Sequence, residues 1–212
     1  MAITRREFAG HLATGAAAIA LGGATIEMSG CNVWTDIENW IPLGIAAVNS
    51  ILAILEANGV PLAAPIQLIV NTIQAGFTAL EAAIKEYQST TPAPVGVLQK
   101  IETIFTDIVN NFGTFLTQLG LKGGLLSLIS SLVQIILSTI SGFMNELPSV
   151  ATRALVAHTG LKAGSMTVPV LPIKRTRRGF KKDWNNTCYG APAIGVQCPP
   201  AAYFSVSFFE SL

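Results

Sequence analysis

Apolar residues recur every three or four positions along residues 35–145, the spacing that places them on one face of an α-helix. This pattern predicts four helices, at Thr35–Ala57, Pro65–Gln88, Pro94–Leu119 and Gly124–Asn145. The second segment also carries polar residues along its opposite face, as an amphipathic helix does. In the third segment the apolar positions alternate by three and four, which is typical of a packed helical seam. They are Leu98, Ile101, Phe105, Ile108, Phe112, Phe115 and Leu119.

Residues that begin and end helices flank these segments. Thr35 and Glu38 have the spacing of a capping box, in which each side chain pairs with a free backbone amide at the helix start. Asn58 and Gly59 follow the first segment, and both residue types tolerate the left-handed conformation that ends a helix. The three connections are short, at 58–64, 89–93 and 120–123. Because short connections make successive helices antiparallel neighbours, we expect a mainly α fold with an up-down four-helix bundle.

The fourth segment contains no charged residue and is long enough to cross a bilayer. Its polar residues share one stripe at helical spacing: Ser127, Ser130, Ser131, Gln134, Ser138 and Ser141. Such a stripe suits a bundle helix with one narrow face toward water better than a helix surrounded by lipid. We therefore expect a bundle helix here, with a membrane helix as the alternative.

The pattern changes after Pro148. Residues 166–173 contain two prolines, which favour extended backbone at the residues before them. Residues 203–209 alternate in polarity and are rich in aromatic side chains, which is typical of a strand. We expect a short β or extended region at the C-terminus. The predicted organisation is an export signal at 1–30, the bundle at 31–150 and a basic, disulfide-closed extension at 151–212.

The first 31 residues have the features of a bacterial export signal. Residues 4–8 read TRREF, which resembles the twin-arginine signal pattern through Arg5, Arg6 and Phe8. Residues 28–31 read MSGC and resemble a lipobox, whose cysteine receives lipid and becomes the new N-terminus. The resemblance implies export and a lipid anchor at Cys31, on the periplasmic or outer face of a bacterial membrane. An uncleaved anchor helix is the alternative, but the apolar run at 13–24 is shorter than the ~20 residues that span a bilayer.

The chain has three cysteines, at Cys31, Cys188 and Cys198. If Cys31 carries lipid, the other two remain, close together in a region rich in glycine and proline. An exported compartment permits a disulfide, so we expect Cys188 and Cys198 to be paired. Closing this short loop would stabilise the fold by roughly 2–3 kcal/mol. Two free thiols, or part of a metal site, are the alternatives, although no histidine lies nearby in the sequence.

Charge is divided unevenly along the chain, although the total is only +1. Residues 32–150 carry eight acids and three bases, whereas residues 151–212 carry eight bases and two acids. The densest basic stretch includes Lys174, Arg175, Arg177, Arg178, Lys181 and Lys182. Three interpretations are open: a surface for anionic lipid or other envelope polyanions, a nucleic-acid site, or a solvated loop. Export makes nucleic acid the least suitable partner.

Composition and motifs weigh against catalysis. Half of the residues are hydrophobic and 12% are charged, which excludes a disordered chain. Outside the export signal the chain has one histidine, His158, so a zinc or haem site built on several histidines is excluded. No phosphate-binding loop, nucleophile elbow or metalloprotease motif occurs. We expect no enzyme activity, no metal and no cofactor.

These features predict a non-enzymatic, lipid-anchored envelope protein whose bundle binds a protein partner or a second copy of itself. Its many apolar residues would leave a docking patch for that partner. A carrier of an apolar ligand is one alternative, with the ligand held between helices beside Phe105, Phe112 and Phe115. A membrane-embedded helical protein is the other, with the first and fourth helices inserted.

Overall fold

The computed structural model describes residues 30–89, 95–144, 160–163, 166–169 and 171–205. These parts of the chain are mainly helical, which confirms the expected fold class. Within them, four long helices come first and a short β-hairpin follows. A fifth helix with two short 3₁₀ turns completes the described chain.

Helices α1 to α4 follow the predicted segments closely. They span Gly30–Ala57, Ala64–Ser89, Val95–Leu119 and Gly123–Met144. Gly59 lies in the turn after α1 with a φ of 71°, in the left-handed region that suits glycine. The prediction that Thr35 caps α1 is wrong, because α1 already begins at Gly30 and Thr35 lies inside it.

The four long helices bury their apolar faces in one shared core. α1 contacts α2 and α4, and α3 contacts the same two helices, so each of the four has two neighbours among the long helices. The seam expected on α3 lies in this core, with five of its seven residues buried: Ile101, Phe105, Ile108, Phe112 and Phe115. α1 buries more than the one stripe expected of it, since Trp40, Ile51 and Ile54 are buried as well.

A two-stranded hairpin follows the core helices. β1, Gly160–Ala163, pairs antiparallel with β2, Met166–Pro169, and β1 lies against α3. Residues 203–205 do not form the strand expected at 203–209, because the backbone of Phe204 is bonded to a helical side chain instead. Residues 206–209 lie outside the described residues.

Residues 177–190 form a fifth helix, α5 (Arg177–Gly190), which corrects the expectation of a wholly β or extended C-terminal region. Thr176 caps its start, because the Thr176 side-chain oxygen accepts a hydrogen bond from the Gly179 amide at 3.1 Å. Phe180, Trp184 and Cys188 recur at every fourth position of α5 and are buried. Burial of this stripe against the core stabilises a helix whose other positions are strongly polar.

Two of the described helices, α1 over Ile37–Ala57 and α4 over Gly123–Met144, have the length and apolar composition of a membrane span. In their most apolar stretches, 56% and 50% of the residues are buried inside the protein. A core helix of a protein that spans no membrane has the same length and composition. These two helices are therefore weak grounds for a membrane-spanning fold.

Candidate functional site at the C-terminal segment

Residues 171–205, which we call the C-terminal segment, pack across α1 and α4. Near the end of α4, the Ile173 amide donates a hydrogen bond to the Ser138 carbonyl oxygen at 2.8 Å. Near the start of α4, Ile194 lies against Gly124. The C-terminal segment therefore follows α4 along its length in the antiparallel direction.

Two glycines on α4 let the backbone of the C-terminal segment approach closely. A Cβ at Gly142 would lie 2.5 Å from the Ile173 carbonyl carbon and oxygen, and a Cβ at Gly124 would lie 2.5 Å from the Ile194 carbonyl oxygen. Real Cβ atoms do not come this close to backbone, so both positions require glycine. About five helical turns separate them, which places both on the same face of α4.

The polar stripe of α4 is only partly open to water, which corrects the expectation of a wet stripe along the whole helix. Ser127 is exposed near the start of α4, but Ser138 and Ser141 near its end are buried. The Ser138 hydroxyl accepts a hydrogen bond from Arg175 of the C-terminal segment. The Ser141 hydroxyl is buried and has no hydrogen-bond partner among the described residues.

Arg175 is a structural residue and not part of an exposed basic surface. Its side chain is only 13% exposed, and its Nε donates to the Asp183 carboxylate at 2.8 Å. One of its terminal nitrogens donates to the Ser138 hydroxyl at 2.6 Å and to the Thr139 hydroxyl at 3.1 Å. The guanidinium thus links α4 to α5 through three bonds, which removes Arg175 from the candidate anionic-surface residues.

An aromatic cluster fixes α5 on the core. It consists of Trp40, Phe143, Phe180, Trp184 and Phe204. The Phe180 ring lies 4.7 Å from the Trp40 ring of α1, edge to face, and 5.6 Å from the Trp184 ring. The Trp184 indole nitrogen donates to the Ala202 carbonyl oxygen at 2.9 Å, so its polar atom is also paired.

Two asparagines bind the backbone of the C-terminal segment through both the nitrogen and the oxygen of their side-chain amides. Asn185 of α5 donates to the Phe204 carbonyl oxygen at 2.7 Å and accepts from the Phe204 amide at 2.9 Å. Asn58, after α1, does the same to Gln197, at 2.8 and 3.0 Å. Sequence reasoning missed the role of Asn185, because its partner is 19 residues away and the pattern of α5 was not recognised.

The other basic residues of the predicted surface lie at the start of α5 or just before it. Lys174, Arg177, Arg178 and Lys182 are exposed, and Lys181 is half-buried. We call these five residues the basic cluster. The one acid in residues 171–205 is Asp183, whose carboxylate accepts the bond from Arg175. Four of the six predicted residues therefore lie in the first two turns of α5, and Lys174 lies just before the helix.

Cys188 and Cys198 are free thiols that lie close enough for each to affect the pKa of the other. Cys188 is buried in the stripe of α5, and Cys198 is half-buried in the loop between the two 3₁₀ turns, Ala191–Ile194 and Pro200–Ala202. Burial raises the pKa of both thiols above the ordinary value. A thiol that resists ionisation is a poor nucleophile, so the pair suits a structural role. Its oxidation to a disulfide stays a prediction.

Cys198 also borders an open depression of about 700 Å³, whose lining includes Ala57, Pro192, Val196 and Pro199. Apart from Cys198, these lining side chains carry no titratable group. In the part of the chain that the structure describes, no three histidine, cysteine, aspartate or glutamate residues come together as metal ligands. The described geometry is therefore that of a C-terminal segment docked on α1 and α4, with basic residues at the start of α5 and just before it.

Comparisons of the chain with protein-family models, with curated proteins and with solved structures found no match.

The export residues Arg5, Arg6 and Phe8 lie outside the described residues. Cys31 lies in the first turn of α1. The predicted lipid attachment site therefore lies at the start of a core helix, next to the folded part of the protein.

Proposed function

We propose that the protein is a non-enzymatic lipoprotein of the bacterial cell envelope, exported by the twin-arginine route and anchored by lipid at Cys31. Its mature part is an up-down four-helix bundle, on which the hairpin and the C-terminal segment pack. The bundle serves as a scaffold or accessory subunit that binds a protein partner or a second copy of itself.

The position of Cys31 in the first turn of α1 is the observation that carries this proposal. α1 is a core helix, with Ile37, Ile41 and Ile51 buried against its neighbours. A lipid on Cys31 would thus hold the folded bundle directly at the membrane, with no flexible linker between the anchor and the core. An anchor of this kind suits a protein that presents a fixed surface to a partner.

The end of the bundle remote from Cys31 supplies a candidate surface for that partner. Leu68 in the second turn of α2, Tyr189 at the end of α5 and Ile194 beside Gly124 all lie toward this end, and all three are exposed. Large exposed apolar side chains are common at protein–protein interfaces. A partner bound there would face away from the anchoring membrane.

The two alternatives have less support. Phe105, Phe112 and Phe115, which would line the cavity of an apolar-ligand carrier, are packed in the core beside the other helices. A membrane-embedded protein would place α4 in lipid, where the contact of the Arg175 guanidinium with Ser138 and Thr139 would be costly.

Native mass spectrometry of the protein released gently from its own envelope membranes tests the proposal. We expect a mass equal to residues 31–212 plus acyl chains, lower by two hydrogens if Cys188 and Cys198 are paired. A protein partner or a second copy in the same complex supports the scaffold role. A retained free lipid in its place supports the carrier.

The matched variants are Cys31→Ala and Cys198→Ala. Cys31→Ala should lose the acyl mass and leave the membrane in alkaline carbonate, whereas Cys198→Ala should stay lipidated and bound. A precursor that still begins at Met1 would overturn the export proposal. Retention of Cys31→Ala in carbonate-washed membranes would favour the membrane-embedded alternative.

A further inference from the structure

We propose that residues 171–182 are the face through which the protein lies on an anionic lipid bilayer. This inference rests on the lipid anchor of the proposed function and adds the orientation of the bundle to it. Three observations support it: exposed apolar side chains, a concentration of positive charge, and the position of both relative to Cys31.

The apolar part consists of Leu171 and Ile173, whose side chains are 64% and 44% exposed. The backbone of Ile173 is held on α4, because its amide bonds to Ser138 and its carbonyl group packs on Gly142. The folded protein thus presents two large apolar side chains at and beside a point where the chain is attached to the core. Such side chains insert into the boundary between lipid headgroups and acyl chains.

The charged part is the basic cluster, which follows Ile173 directly. Residues 171–182 contain no acid, and the carboxylate of Asp183 already accepts a hydrogen bond from Arg175. The positive end of the α5 dipole lies at the same place. Each basic side chain near an anionic bilayer increases binding by about fivefold. Apolar side chains next to several bases form a surface that complements anionic headgroups.

The position of this surface agrees with an anchor at Cys31. Phe180 of α5 packs on Trp40 of α1, while Gln197, after α5, is bonded to Asn58, after α1. α5 therefore runs parallel to α1, and its start points toward the end of the bundle that carries Cys31. Trp40 lies about 13 Å along α1 from Cys31. Contact of residues 171–182 with the bilayer thus requires the bundle to tilt toward the side of α5.

Hydrogen exchange of the lipidated protein in nanodiscs tests this surface. We expect the amides of residues 171–182 to exchange more slowly in discs that contain phosphatidylglycerol than in discs of phosphatidylcholine alone. The combined variant R177Q/R178Q/K182Q should lose this difference, and L171S/I173S should reduce it. Lys122→Gln removes an exposed charge from the remote end of the bundle and should leave the difference in exchange unchanged.

Equal exchange of residues 171–182 in the two kinds of disc would overturn the proposal. The proposal would also be overturned if Lys122→Gln lost as much of this protection as R177Q/R178Q/K182Q. If mass spectrometry finds no acyl chains, the lipoprotein proposal fails, but the surface is still testable with the same purified protein. Co-sedimentation with phosphatidylglycerol vesicles and not with phosphatidylcholine vesicles would then support it, and no co-sedimentation with either would overturn it.

Discussion

At the scale of single residues, the attachment of the C-terminal segment depends on two kinds of position. At one the residue has no side chain, and at the other the side chain makes two hydrogen bonds to backbone. Gly142 leaves room for the Ile173 backbone, and Asn185 satisfies both backbone groups of Phe204. Neither residue belongs to an apolar stripe. Patterns of polar and apolar residues therefore could not identify them, because their roles depend on backbone that arrives from far along the chain.

We predict that Gly142→Ala destabilises the fold by about 1–3 kcal/mol. The new Cβ would overlap the backbone at Ile173, which cannot rotate away as a side chain can. Gly96→Ala is the control, since a Cβ at Gly96 has no neighbour within 4 Å. Alanine is also the better helix former, so Gly96→Ala should be neutral or stabilising. Urea unfolding of both variants measures the difference, and equal midpoints would contradict this account of Gly142.

At the scale of elements, the four long helices were predictable and α5 was not. The apolar residues of α1 to α4 recur over more than twenty positions, so single polar residues do not obscure the period. α5 has 14 residues and a stripe of only Phe180, Trp184 and Cys188 among many charges. The Thr176 cap and the four-residue spacing were present in the sequence, but the tertiary contacts that stabilise so polar a helix were not visible there.

The attachment of α5 to the end of the described chain gives a second prediction. Asn185→Ala should cost about 1–3 kcal/mol, because it leaves the amide and the carbonyl group of Phe204 without their partner. Asn186→Ala is the matched control, since its neighbouring side chain is exposed, and should change stability by less than about 0.5 kcal/mol. Thermal unfolding of the two variants measures this difference. A similar loss of stability in both would contradict the role of the two hydrogen bonds between Asn185 and Phe204.

At the scale of the whole molecule, the C-terminal segment joins the first and fourth helices into one body. Sequence patterns predicted that α4 would present a water-facing stripe, yet the end of that stripe is buried where Arg175 bonds to Ser138 and Thr139. The same patterns placed Arg175 with the other bases on the surface. Both errors have one physical origin, since a polar face can be buried when another segment supplies matching hydrogen bonds.

The cysteine pair inside this segment gives a prediction about pH. Because burial raises the pKa of the Cys188 thiol, the unfolded chain loses that proton above about pH 8.5 while the folded protein keeps it. The Cys188 thiol should thus leave stability unchanged below this pH, and by itself should cost the reduced protein about 1.4 kcal/mol per pH unit above it. The slope should be smaller for Cys188→Ala and for the oxidised protein, if the disulfide forms. Urea unfolding at pH 8, 9 and 10 tests this, and parallel curves for reduced wild type and Cys188→Ala would contradict it.

The bond between Asn58 and Gln197 joins residues 139 positions apart, and this separation has a consequence for synthesis. A ribosome adds roughly 5–20 residues per second. The faces of α1 and α4 are therefore made several seconds or more before the segment that covers them. Growing chains would carry uncovered apolar surface until the C-terminal segment has been made. We expect a holding chaperone to bind this surface during that interval. Truncation of the last forty or so residues would remove the cover altogether, even though every one of the four long helices would remain intact.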